Sequence, residues 1–417
     1  MKKIKITFPD NSFIEAENEV RPILFLEKFN AKNKRIVAVK VNNEICSLDS
    51  PVSITSNIEP VFSDSKDGSA IYRRSLCFVL ASAAHKIFPG KRLLVGHSLG
   101  YGYYYTLELG EPLTRENILK LKNEMEQIIK DDKIIETDFI SYSEACSLFE
   151  ELGLTETRKQ LNYRCPSRVQ INRLEGFSDL YFGPLVGTTG ILNVFDLLPY
   201  SDGFLLRFPK KGQPEKLTEF VDQPKLFEIY KSYKLWGKRL NVTSAASLNQ
   251  LIHDRKESEF IDITETLQTK RISNIADEIL KKKSARIVLI AGPSSSGKTT
   301  TSKKLALQLE AIGYKPKVIS LDSYYLGRTQ TPKDENGNYD YECLEALNIE
   351  LLNQNLVDLF AGKQIKLPSY DFHAGVSYFK GDTMTLEESD ILIMEGIHGL
   401  NDKLTPLVPA DKKFKIY

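Results

Sequence analysis

No run of apolar residues in this 417-residue chain approaches the ~18 that a membrane span needs. Cysteine is sparse and unpatterned. The five, at positions 46, 77, 146, 165 and 343, include no C-x-x-C spacing, which points to free thiols in a reducing compartment. Neither sign of charge prevails: 56 Lys+Arg face 55 Asp+Glu, and a formal net charge of +1 supplies no bulk field for nucleic acid or a membrane. The basic start MKKIKITFPD lacks the apolar core of a signal peptide and alternates like a strand. Internal repeats and low-complexity tracts are absent as well. These absences predict a soluble, cytoplasmic protein with no membrane partner. Its 41% apolar and 27% charged content is ordinary for globular protein, and its length suggests about three domains.

What is present is concentrated in RIVLIAGPSSSGKTTTSKKL, residues 286–305. Gly292, Gly297, Lys298 and Thr299 complete the spacing G-x-x-x-x-G-K-[ST]. RIVLIA predicts a buried parallel strand, and Leu305, Leu309 and Ile312 recur at helical spacing up to a stop at Gly313. A strand feeding a glycine loop that opens a helix is the geometry a phosphate needs. The glycines let the backbone wrap the anion, and the helix start offers unpaired N–H groups and a favourable dipole. The loop Gly292, Pro293, Ser294, Ser295, Ser296, Gly297, Lys298, Thr299 and Thr300 is expected to bind ATP. Lys298 would reach the β- and γ-phosphates, and the Thr299 hydroxyl would hold Mg²⁺.

Two acids follow. KPKVISL predicts a second strand with Asp322 at its C-terminal end, the edge at which open α/β sheets bind ligands. A carboxylate there can take a proton from an attacking hydroxyl or help hold Mg²⁺. SDILIMEGIHGLN predicts a third apolar strand with Glu395 at its end, a second metal contact.

From about residue 285 onward, GPSSSGKTT, LDSYY, NYDYECLEALN, LPSYDF and MEGIHGLN together resemble the uridine kinase and phosphoribulokinase superfamily. The resemblance implies transfer of the γ-phosphoryl group of ATP to a sugar hydroxyl, most simply of uridine or cytidine to the 5′-monophosphate. It implies Asp322 as base, Tyr325 in the sugar pocket, Asp340 on ribose hydroxyls, and Tyr370 and Phe372 against the acceptor's base. The family's base-reading histidine and the arginine after it fall here on Gly375 and Ser377, and His373 is the nearest substitute.

Residues 1–65 alternate short strands with one helical stretch around VRPILFLEKF and resemble a TGS domain, the ubiquitin-like β-grasp unit of threonyl-tRNA synthetases. Residues 68–210 resemble the α+β editing domain of threonyl- and alanyl-tRNA synthetases. The metal positions of H-S-x-x-H and D-L-C-R-G-P-H are held here by Arg74, Phe78, Tyr181 and Leu185, which implies that the editing-type zinc site is absent. Residues 211–284 read as a helical connector. The expected architecture is therefore multidomain α/β and α+β, ending in a parallel-sheet phosphate-loop kinase domain at 285–417. The three-part order resembles that of bacterial uridine kinase-like proteins.

Competing readings are a kinase of another small polyol or nucleoside, from the displaced histidine, and a tRNA- or RNA-binding regulatory ATPase, from the synthetase-like halves. The tail PADKKFKIY reads as polar loop and the start of a strand. By resemblance, a further crossover, strand and arginine-bearing lid would follow, so the expectation is a fragment of a longer protein.

Overall fold

The structure, a computed structural model, describes residues 3–417 except 18, 30–34, 164–165 and 336. Cys165 lies outside the described residues. The chain divides into two compact units, Met1–Arg255 and Lys256–Tyr417.

The first unit opens with β1 (Ile4–Thr7), β2 (Phe13–Ala16), β3 (Ile36–Val41), β4 (Glu44–Cys46) and β5 (Ser56–Phe62), in a mixed sheet of order β2-β1-β5-β3-β4. The expected helical stretch is a 3₁₀ helix, Pro22–Phe29. Alternation in β1 sends Ile4 and Ile6 into a core with Phe8, Phe29, Val39 and Ile58. Ser65 then caps α1 (Lys66–Ile87), its hydroxyl accepting from the Gly68 amide at 3.0 Å.

Next come β6 (Arg92–Ser98), β7 (Gly102–Glu108), α2 (Arg115–Lys130), β8 (Glu136–Ser141), α3 (Tyr142–Glu151) and α4 (Thr155–Gln160). They are followed by β9 (Arg168–Leu174), β10 (Phe177–Asp179), β11 (Asp196–Tyr200) and β12 (Gly203–Arg207). These strands form two antiparallel sheets, β11-β12-β7-β6 and β10-β9-β8. At the editing-type positions, Phe78 is fully buried with its ring 5.1 Å from that of Tyr181, edge to face, and Leu185 is fully buried. Arg74 Nη1 donates to the Pro184 carbonyl at 2.9 Å. The connector stretch is shared between units. α5 (Pro224–Arg239) and α6 (Ala245–His253) belong to the first, and α7 (Glu257–Lys281) belongs to the second.

After α7 the second unit continues with β13 (Ile287–Ile290), α8 (Lys298–Ala311), β14 (Lys315–Ser320), α9 (Ile349–Phe360), β15 (Ile365–Asp371), β16 (Val376–Met384), β17 (Asp390–Glu395) and β18 (Lys413–Ile416). The main sheet is wholly parallel, in the order β14-β17-β13-β18. The tail read as a strand start is β18, paired from Lys413↔Ile287 to Ile416↔Ile290. Every residue of β13 and β17 is buried, as a sheet covered on both faces requires. Alternate side chains divide between two cores. Val288, Ile290, Ile391 and Ile393 pack with Ile272, Ile279, Leu305 and Leu309 of α7 and α8. Ile287, Leu289, Leu392 and Met394 pack with Leu352, Leu356 and Leu359 of α9 and with Tyr324. This three-layer arrangement brings the C-terminal ends of β13, β14 and β17 to one edge. β15 and β16 form a separate two-stranded hairpin.

Candidate active site

β13 delivers its chain directly into the phosphate loop. Gly292 is buried there, and a β-carbon on it would sit 2.7 Å from Ser296 Oγ, so any larger residue would have to displace that hydroxyl. Gly297, at φ +87°, is the N-cap of α8, and Ser295 is also left-handed at φ +58°. The curl leaves Pro293 through Gly297 exposed above the start of a 14-residue helix, the setting in which backbone N–H groups attract an anion. Lys298 Nζ folds back onto the Pro293 carbonyl at 2.9 Å. Thr299, in the first turn of α8, donates its hydroxyl to Glu395 Oε1 at 3.1 Å. Thr300 is exposed beside it.

Glu395 ends β17 and is 4% exposed, a buried carboxylate whose located partner is that hydroxyl. Asp322 follows β14 in a 3₁₀ turn, Leu321–Tyr324, fixed by packing of Leu321 and Tyr324 into the core. Burial pushes the Asp322 carboxyl above the usual carboxylate range. Glu395 pushes it further in that direction, and Lys298 draws it back down. The four side chains named from the loop and the strand ends therefore share one electrostatic environment. A hydroxyl and two carboxylates are hard oxygen donors of the kind Mg²⁺ takes alongside phosphate oxygens and water, so the residues fit that ion. Among the described residues, no group of three or more His, Cys, Asp or Glu could hold a metal by itself.

Beyond Asp322 the chain builds a ring-lined cavity of about 320 Å³ from Tyr325, Arg328, Tyr341, Tyr370 and Phe372. Ring centroids are 5.6 Å apart for Tyr325 and Tyr370, 6.1 Å for Tyr325 and Phe372, and 5.0 Å for Tyr370 and Phe372. Tyr325 donates its hydroxyl to the Tyr341 carbonyl at 3.1 Å, and burial beside Asp322 raises its phenol to about 12, so it stays protonated. The hairpin turn is organised by Asp371, whose Oδ1 accepts from the amides of His373 at 2.8 Å and Ala374 at 3.0 Å.

Two of the acceptor-site expectations take a different form. His373 is exposed in that turn and does not line the cavity. Asp340 Oδ1 accepts from the amides of Glu342 at 2.9 Å and Cys343 at 3.1 Å, which makes it a turn-forming group next to Tyr341. Sequence reasoning missed Arg328 and Tyr341 in the wall. Tyr341 lay in plain view within NYDYECLEALN. Arg328 carried no signal, because its place depends on folding the LDSYYLGR turn against the β15–β16 hairpin, where its amide donates to the Gly375 carbonyl at 2.8 Å.

Residues 287–417 match the family described as Phosphoribulokinase / Uridine kinase family. The match covers the C-terminal part of the chain, from β13 onward. Its N-terminal region is similar to threonine–tRNA ligases. Over 222 residues it is 28% identical to the one from Oleidesulfovibrio alaskensis, covering 52% of this chain and 34% of that protein. Over 174 residues it is 30% identical to the one from Lawsonia intracellularis, covering 42% and 27% respectively. The chain thus spans about a third of the length of the curated relatives it matches. Among solved structures, a possible uridine kinase from Bacillus stearothermophilus is 27% identical, with a TM-score of 0.30, covering 36% of this chain and 79% of that one. A region matching a kinase family thus follows an N-terminal region similar to threonine–tRNA ligases.

Proposed function

We propose that the second unit transfers the γ-phosphoryl group of ATP to a hydroxyl of a small ring-bearing acceptor, with uridine or cytidine the leading candidate. The observation that carries this reading is the convergence of Lys298, Thr299, Asp322 and Glu395 at one sheet edge, next to a cavity walled by four aromatic rings. Amides of the loop from Gly292 to Thr300 hold the phosphates. Lys298 leaves Pro293 and turns onto the β- and γ-oxygens, where it offsets charge in the transition state. Asp322 accepts the acceptor's hydroxyl proton as that oxygen bonds the γ-phosphorus and the bond from phosphorus to the β-bridging oxygen breaks, with ADP leaving. Thr299 and Glu395 would hold Mg²⁺, which supplies charge neutralisation across the phosphates when bound. Tyr325, Tyr370 and Phe372 pack on the acceptor, and the remaining carboxylate oxygen of Asp340, next to Tyr341, would meet its ribose hydroxyls.

A second reading, a kinase for another polyol or nucleoside, is favoured by the position of His373 outside the ring-lined cavity. Screening nucleosides and sugars for acceptor-dependent ADP release with the full chain separates the two. Uridine or cytidine should stimulate release most strongly. A non-pyrimidine acceptor doing so would select the second reading, and no stimulation by any acceptor would overturn both.

A further inference from the structure

The first unit contains a cavity between α5 and the β6–β7 strands that the phosphoryl-transfer reading does not use. Its volume is about 200 Å³, and it adjoins a groove of about 540 Å³ with which it shares Gly96, His97, Glu108, Lys234 and Lys238. On α5, Phe227, Tyr230, Lys231, Lys234 and Lys238 recur at spacings of three and four, so one helical face supplies one wall of the cavity. The opposite wall is strand, carrying Tyr104, Thr106 and Glu108.

The charges do not balance. Lys231 lies 3.8 Å from Asp202, which also accepts from Tyr104 at 2.6 Å. Lys238 and Arg92 share Glu108 at 3.3 and 3.7 Å. Among the described residues Lys234 has no carboxylate within salt-bridge distance. Its ammonium donates to the Thr106 hydroxyl at 2.8 Å and stands 5.8 Å above the Tyr104 ring. In the cavity Lys231, Lys234 and Lys238 thus face Asp202 and Glu108, while Arg92, in the adjoining groove, also acts on Glu156. Burial, and then Lys238, lower the Lys234 ammonium below its usual range, and the more distant Asp202 and Glu108 offset that only in part. Beside it the imidazole of His97 stacks on Tyr230, centroids 4.1 Å apart at 16°, and burial together with Lys234 favours its neutral form. The wall therefore offers a flat ring pair next to excess positive charge.

We infer that this cavity binds a small phosphate monoester carrying a flat ring, with the phosphate on Lys234 and Lys238 and the ring against Tyr104, Phe227 and Tyr230. A phosphate monoester carries about −1.5 to −2 at pH 7, opposite in sign to the excess charge of the walls. A lysine ammonium, a compact point charge, serves such a group well.

Titration calorimetry with phenyl phosphate tests this on the full chain carrying Lys298→Ala, which removes the phosphate loop's cation from the comparison. Phenyl phosphate should bind with a Kd of about 1 mM or tighter, and adding Lys234→Met should weaken it at least about tenfold. Absence of binding, undiminished binding after Lys234→Met, or equally tight binding of benzoate would each overturn the assignment. A second measurement stands even if Lys234→Met does not fold. Phenyl phosphate should protect Lys234 of the otherwise unaltered chain from acetylation, read lysine by lysine by mass spectrometry. An unprotected Lys234 would also sink the proposal.

Discussion

The Thr299 hydroxyl donates to Glu395 Oε1 across 3.1 Å, tying the first turn of α8 to the end of β17. Two potential cation ligands from segments about a hundred residues apart are thereby preset to one separation. Replacing Glu395 with Gln keeps an acceptor for Thr299 but removes the charge. The Mg²⁺ concentration for half-maximal ATP turnover should rise at least about tenfold. An unchanged Mg²⁺ dependence would remove Glu395 from the metal site.

Lys298→Ala and Asp322→Asn should fail by different routes. The lysine variant loses triphosphate stabilisation, so turnover falls about 10²–10³-fold and ATP binding weakens. The aspartate variant should bind ATP nearly as well as the parent while turnover falls about 10²–10⁴-fold. Nucleotide binding by fluorescence alongside the rate assay separates them. Near-parental turnover in Asp322→Asn would show that another group takes the proton.

Truncating the ring wall should act on the acceptor and not on ATP. Tyr370→Ala and Phe372→Ala are expected to raise the acceptor KM about 5- to 20-fold, on the scale of about 1–3 kcal/mol for one base–ring stack, with the KM for ATP unchanged. His373→Ala, altering an exposed turn residue, should leave the acceptor preference as it was. Parallel losses for both substrates would mean that the rings hold the fold instead.

The sequence made the second unit's chemistry legible because that chemistry sits where chain and topology agree. RIVLIA and ILIM are apolar runs that lie inside a covered parallel sheet and KVISL pairs along its edge, so the residue after KVISL or ILIM comes at a strand's C-terminal end. Asp322 and Glu395 could be found this way without knowing any contact. Arg328 could not, since its role in the wall arises from two segments that meet only after folding. Asp340 illustrates the converse. Its carboxylate matched a motif, yet one of its oxygens is spent on local turn amides, a competition that short acidic side chains commonly enter. In the first unit, the α5 lysines read as a polar helix face, and only the strand wall opposite shows that they enclose a cavity.

Asp179, at the end of β10, gives the first unit a distinctive pH response. Burial raises its carboxyl to about 6, against the lowering effect of bonds from the Leu180 amide and the Thr157 hydroxyl. Between about pH 4 and 6 the native state then holds more protons than the unfolded chain, so stability falls as pH rises through that window. Asp179→Asn keeps an oxygen for both donors and carries no charge. It should stabilise the first unit by about 1–3 kcal/mol at pH 8, with the difference vanishing near pH 4. Urea unfolding at the two values decides it, and a pH-independent difference would refute the assignment.

Phe78 and Tyr181 pack ring against ring, and neither side chain is a ready metal ligand. Metal analysis of the purified chain should find no stoichiometric zinc in the first unit. Phe78→Ala, which empties a fully buried site, should cost about 3–5 kcal/mol. One zinc per chain would show that other residues have taken over as ligands.

β13 lies between β17 and β18, and both of those neighbours are made about a hundred or more residues after it. On a ribosome adding ~5–20 residues per second, the Ile-Val-Leu-Ile segment has neither sheet partner for roughly 5–20 s, long after the first unit's strands have all been made. A nascent phosphate loop is thus anchored on one of the most apolar and latest-paired strands of its unit. Slowed elongation between α8 and β17 should therefore favour chaperone capture or aggregation of this unit over the one before it.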